Sequence, residues 1–210
     1  MLKHTKQSVL ARFPILFVML FFLFAVWLDS FTVFSKNSEA VRGSVLRLHI
    51  LANSDAAEDQ RIKLLVRDAI LKETGTLFES ADGRADAIAA AEENIQTVKE
   101  IAENKLAALG VTQSVQVKVA RIFFETRHYE NFTLPAGTYD AVQVILGEGA
   151  GQNWWCVLYP PLCLPAAVDR EQFTEAEWEL ITSPRYEVHF YLLELFEKLK
   201  RKLMRRSFLR

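Results

Sequence analysis

The turn Asn53-Ser54-Asp55, with His49 before it and Glu58 and Asp59 behind it, gathers the side chains of this chain best suited to acid–base or metal chemistry. Carboxylates beside an imidazole can relay protons near neutral pH or share a cation. The cluster sits where a strand hands over to a helix, a common place for α/β active sites. Capping and solvation account for the same residues without chemistry, since Asp55 with Glu58 three positions on resembles a capping box. His4, His49, His128 and His189 are scattered, and no HExxH or CxxC spacing appears, so a zinc site is not indicated. No serine sits in GxSxG, and a cysteine nucleophile would need a histidine that only folding could bring near.

The second unusual stretch is Gly147–Pro165, GEGAGQNWWCVLYPPLCLP, read as a long loop. Its glycines lack the lysine of a phosphate-binding loop and the GxGxxG spacing, so no phosphate site and no cofactor is expected. Asn153, Trp154, Trp155 and Tyr159 are candidate partner-binding residues, because Trp and Tyr concentrate at protein interfaces and at membrane surfaces. Adjacent side chains in an extended stretch point apart, so both tryptophans covering one core from the loop is the weaker alternative. Asn53 and Asp55 form a second candidate surface. Cys156 and Cys163 are the two cysteines of the chain. An even count outside a reducing compartment is compatible with a disulfide, and two small buried hydrophobes is the other reading.

That compartment follows from the N-terminus. Phe13–Phe34 is a long apolar run behind Lys3, Lys6 and Arg12, with no acid before Asp29. A basic flank and an apolar run mark a secretory signal or a retained anchor, with the positive side kept in the cytoplasm. A spanning helix needs ~20 mostly apolar residues. The uninterrupted run Phe13–Leu28 is short of that, and cleavage after Ala40 fits the small residues Ser38 and Ala40, so both readings stand. The net charge of −1 hides a basic leader and a basic end, Lys198–Arg210, which holds no acid. The body between them is acidic, which argues against nucleic acid as a partner. The basic end could meet anionic lipid, or it could simply complement a helix dipole.

The expected domains are 1–40, a signal peptide or anchor with a polar linker at Ser35–Ser44, and 41–210, one extracytoplasmic domain. Val45–Ala52 alternates as a half-buried strand, with Leu46, Leu48 and Ile50 inward and Arg47 and His49 outward. Ala56–Lys72 reads as a helix stopped by Gly75, and Arg84–Leu109 as one longer helix stopped by Gly110. Ser114–Glu125 and Tyr139–Leu146 read as strands. Pro184–Met204 reads as a helix on which Val188, Leu192, Leu195, Phe196, Leu199 and Leu203 share a face. The fold class expected is α/β, a small sheet of three or more strands packed with helices. The expected order is β-α-α-β-β-α, behind an N-terminal hydrophobic helix.

Arg47-Leu48-His49-Ile50-Leu51-Ala52-Asn53-Ser54-Asp55, with Glu58-Asp59-Gln60, Lys63 and Val66-Arg67-Asp68-Ala69-Ile70, resembles the opening of the stage II sporulation protein R family. Asn153-Trp154-Trp155-Cys156-Val157-Leu158-Tyr159-Pro160-Pro161-Leu162-Cys163 resembles that family's second hallmark. The resemblance implies a protein exported from the forespore of an endospore-forming bacterium into the space between the forespore and mother-cell membranes. There it would activate a membrane-embedded sporulation aspartic protease that processes pro-sigma E, acting as a ligand rather than an enzyme. Membrane contact through the leader and the basic end is a separate expectation, read from their own apolar and basic residues rather than from the resemblance. An extracytoplasmic enzyme, such as a cell-wall hydrolase using Asp55, Glu58 or Cys156, is the competing reading.

Overall fold

The computed structural model describes residues 12–74, 78, 81–129, 131–160 and 173–207. Helix α1, Arg12–Ser44, is unbroken over 33 residues. Pro14 falls in its first turn, where the missing N–H costs nothing. The expected linker at Ser35–Ser44 is therefore helical. Tertiary packing explains this: Phe34, Ser38 and Val41, spaced at i, i+4 and i+7, are buried against the body. Upstream, the residues from Ile15 to Leu28 lie exposed along the helix, and the most apolar window, with mean hydropathy 2.2, contains no buried residue. By length and composition the helix could cross a membrane.

Four strands form one mixed sheet in the order β2-β5-β1-β6: β1 Leu46–Leu51, β2 Val115–Phe124, β5 Gly137–Leu146 and β6 Asn153–Tyr159. Strand β1 runs parallel to β5 and antiparallel to β6, and β2 is antiparallel to β5. A short hairpin, β3 Arg127–His128 and β4 Thr133–Leu134, stands apart from this sheet. Strand β6 corrects the reading of Gly147–Pro165 as a loop throughout. Its Trp, Val and Tyr favour a pleated, half-buried surface, and pairing with β1 supplies their backbone partners.

Helices α2 Ala57–Thr74, α3 Arg84–Glu93 and α4 Ile95–Ala108 cover one face of the sheet. The single helix expected over Arg84–Leu109 is divided at Asn94. There the Asn94 side-chain amide donates to the Ala90 carbonyl at 2.8 Å, competing with the backbone ladder. Gly110 closes α4 in a left-handed conformation (φ 69°) while the Val111 N–H reaches back to the Leu106 carbonyl. Gly75 lies outside the described residues.

The opposite face is covered by the end of α1, by α5 Glu175–Thr182 and by α6 Glu187–Ser207, which follows a 3-10 turn at Pro184–Tyr186. Helix α5 was not expected, although its capping box is legible: Thr174 Oγ1 accepts from the Glu177 N–H and the Glu177 carboxylate accepts from the Thr174 N–H. Because both faces are covered, β1 is not half-buried as expected. Arg47 and His49 are as enclosed as Leu46, Leu48 and Ile50. The class, α/β with a sheet packed against helices behind an apolar helix, is as expected. The order differs by the break at Asn94, the β3–β4 hairpin, β6 and α5.

Candidate functional site

The two stretches singled out from the sequence meet in space. At the end of β1, the Asp59 carboxylate gathers the turn. It accepts from Asn53 Nδ2 at 2.8 Å, Ser54 Oγ at 2.6 Å and Gln113 Nε2 at 2.8 Å. These donors, Ser54 first, hold its pKa below the usual carboxylate value. Asn53 Oδ1 accepts from the Glu148 N–H at 3.0 Å, and Asp55 Oδ1 from the Gln152 N–H at 2.7 Å. Lys63, buried, donates to the Gln152 carbonyl at 2.8 Å and to Gln60 Oε1 at 2.6 Å. Gly147 takes a left-handed φ of 56° and lies where an added Cβ would strike the Asn53 side chain. The turn after β1 is thus a latch that holds the glycine loop before β6.

Asp55 does not form the capping box expected with Glu58. It reaches across to Gln152, while Glu58 pairs with Arg61 on the surface. Asn53, Asp55 and Asp59 are all engaged in this latch, and no three His, Cys, Asp or Glu side chains among the described residues are grouped to hold a metal ion.

Strand β6 sends its tryptophans to opposite faces. Trp154 packs at the edge of the α2–α4 core with the Arg67 guanidinium 4.9 Å above its ring. Trp155 stands opposite His49 in the β1–β6 ladder, and the two rings stack at 4.0 Å with planes 8° apart. His49 Nε2 faces Asn153 Oδ1 at 3.1 Å and Nδ1 faces Gln143 Nε2 at 3.0 Å. This pairing suits the neutral Nε2–H tautomer. Burial pushes the His49 pKa down. Asn153 is exposed and Tyr159 is buried. Cys156 is buried and disulfide-bonded; Cys163 lies outside the described residues.

Beneath this stack lies a group the sequence reading placed outward. Arg47 is fully buried, its guanidinium carbon 3.9 Å from the Phe124 ring centre and 4.9 Å from that of Tyr139. Nη2 donates to the Tyr129 hydroxyl at 2.6 Å, while Nε and Nη1 have no hydrogen-bond partner among the described residues. Burial lowers its pKa and pushes that of Tyr139 up. The Tyr139 hydroxyl donates to the Pro135 carbonyl. Trp155 closes the group, 4.6 Å from Phe124.

A polar cavity of about 290 Å³ opens between the end of α1, β2, β5 and α6, lined by Arg42, Arg84, Arg121, Asp140, Glu197 and Lys200 among others. Its central charges answer one another: Asp140 pairs with Arg84 and approaches Arg121 at 3.9 Å, and Arg84 also donates to the Gly43 carbonyl at 2.6 Å.

These features define a class: a small α/β domain, latched across its β1–β6 edge, carried on an apolar helix long enough to span a bilayer. The sequence model of the stage II sporulation protein R family (spore_II_R) matches residues 42–169, from the end of α1 to beyond β6. This chain belongs to that family. It is 39% identical over 132 residues to the stage II sporulation protein R of Bacillus subtilis (strain 168), a match that covers 63% of this chain and 59% of that protein. The chain thus spans about three-fifths of that relative's length. No solved structure matches it.

Proposed function

We propose that this chain is an exported sporulation signal. It activates a membrane-embedded aspartic protease, which then cleaves the pro-form of sigma E. The observation that carries this reading is the family match across the whole β1–β6 unit, which makes the chain a sporulation protein of a family named for a developmental stage rather than a reaction. The apolar helix α1 supports a place at or beyond a membrane, and the compartment this reading assigns is the space between the forespore and mother-cell membranes.

The mechanism is a population shift. A ligand activates a protease only by binding its active state more tightly than its inactive one, and a preference of about 1.4 kcal/mol changes the ratio of the two states tenfold. The latched domain offers a preorganised surface for that discrimination, with Asn153 at its exposed edge.

The test is co-expression of this chain, routed for export, with the sporulation protease and its pro-sigma substrate in a non-sporulating host. Substrate cleavage that depends on this chain is expected. A protease that answers a known activator but not this exported, folded chain would overturn the reading, and turnover of peptidoglycan by the purified chain would put the cell-wall hydrolase in its place.

A further inference from the structure

Strand β2 forms one edge of the sheet. It runs ten residues, Val115–Phe124, against the about five or six usual for a strand. Ten consecutive pairs, from Val115 with Leu146 to Phe124 with Gly137, join it to β5 without a shift in register. An antiparallel strand turns the N–H and C=O of alternate residues to each side. Roughly five residues of β2 therefore present theirs to the outer side, over ~33 Å. Among the described residues, no backbone hydrogen bond other than those to β5 reaches this strand. Folded proteins blunt such an edge with shortness, proline, a bulge or charge. Strand β2 is long, its sequence holds no proline and its pairing no bulge. Charge alone guards it, through the exposed side chains of Lys118 and Arg121.

Val117 and Val119 are half-buried at the rim of the core under α2, α3 and α4, and Ile122 at the rim of the opposite core. A strand laid along β2 would extend both cores and satisfy the row of backbone groups, which neither a helix nor a lipid surface can do. The cations select among strands. Lys118 makes no ion pair among the described residues. Arg121 approaches Asp140 at 3.9 Å, but Arg84 is the nearer partner of that carboxylate, and the Arg121 side chain is 76% exposed. Exposed Arg201 adds a third cation, its guanidinium carbon 4.1 Å from the Phe123 ring centre. The acid at that end, Glu125, is already answered by Lys198 at 2.7 Å. A second copy paired edge to edge about a two-fold would set Lys118 against Arg121 twice, with like charges opposite one another. An acidic strand meets no such penalty.

We infer that the outer edge of β2 docks an extended acidic segment of a partner protein, which adds a fifth strand to the sheet; this stands apart from the function proposed above. Backbone hydrogen bonds supply the affinity and the side chains of alternate residues the specificity. Lys118 and Arg121 are three residues apart, so their side chains leave opposite faces of the pleat. A segment with acids three positions apart and β-branched residues around them meets both cations and both apolar rims. Val115–Phe124 lies well past Ala40, so the edge belongs to the domain with or without the leader.

The test titrates the full chain in detergent against a labelled peptide, acetyl-Thr-Val-Glu-Val-Thr-Glu-Val-Thr-amide, followed by fluorescence anisotropy. The peptide should bind, and should slow hydrogen exchange at amides of β2 while leaving those of β6 unchanged. Replacing both of its glutamates by lysine should weaken binding about tenfold or more. N-methylation of one alternate set of its amides should abolish binding and of the other set should not, because only one set faces β2. Lys118→Glu combined with Arg121→Glu should reverse the preference between the acidic and basic peptides. Both side chains are exposed, so the melting temperature should not fall. Should that variant fail to fold, the pair of N-methylated peptides decides alone. Equal binding of the acidic and basic peptides, indifference to N-methylation, protection away from β2, or no binding overturns the inference. So does a chain that is already a dimer with its β2 amides protected before any peptide is added.

Discussion

Phe34 of α1 and Phe190 of α6 meet edge to face, their ring centres 5.1 Å apart and their planes at 76°. Tyr186 and His189 flank the same phenyl ring at 5.5 and 5.2 Å. The last turns of the apolar helix are thereby part of the core of the body, and α6 is held by them. Phe34→Ala should lower stability by ~3–5 kcal/mol, the usual cost of emptying a buried aromatic site. A chain beginning at Val41, the product of cleavage after Ala40, loses Phe34 and the buried Ser38 together and should melt at least as early. Thermal unfolding of the two variants in detergent checks both statements.

Trp155 should prove structural as well as superficial. Its stack on His49 and its edge contact with Phe124 tie β6 to β1 and β2. Aromatic pairs add ~0.5–1.5 kcal/mol each beyond area burial. Trp155→Ala should therefore destabilise the protein, and the double change with Trp154→Ala more so, since the two rings support opposite faces. Loss of signalling in the double variant is consequently not a measure of contact with a partner. Denaturant unfolding followed by circular dichroism would show the loss.

Arg47 should be replaceable. Two of its N–H-bearing nitrogens, Nε and Nη1, are buried without a partner among the described residues. An unsatisfied buried polar group costs ~1–3 kcal/mol, and apolar residues of similar volume are often as good or better in such places. Arg47→Met should match or exceed the parent in stability, whereas Arg47→Glu should fail to fold. A chemical-denaturation midpoint for Arg47→Met clearly below the parent's would contradict this.

Stability should fall with acid in two stages. Burial lowers the folded pKa of His49, so below the unfolded value of ~6.5 the unfolded chain binds a proton that the folded chain resists. Stability therefore decreases as pH falls from that point towards the folded pKa, and His49→Gln should remove that part of the slope. Asp59, whose pKa is also lowered, adds a second loss below ~3.9 as its latch is protonated. Melting temperatures across a pH series for the parent, His49→Gln and Asp59→Asn would separate the two.

Much of the protein could be read from residue order because the relevant signals are local. The apolar run of α1, the alternation of β1, β2 and β5, the helical spacing of α2 and α6 and the two family stretches need only near neighbours to be recognised. Even α5, overlooked, carries its capping box within four residues of sequence. The rest turns on neighbours distant in the chain. Periodicity groups Val188, Leu195 and Leu199 on one face of α6 but cannot say which way that face turns; the competing grip of Phe190 and Leu193 on α1 and α5 decides it. Alternation separates Arg47 and His49 from the leucines of β1, yet only the second layer of helices buries them. Asn53 and Asp55 look like caps until the glycine loop arrives beside them. Tryptophans in a strand and tryptophans in a loop have the same letters, and it is the open edge of β1, with its unpaired backbone groups, that makes Asn153–Tyr159 a strand.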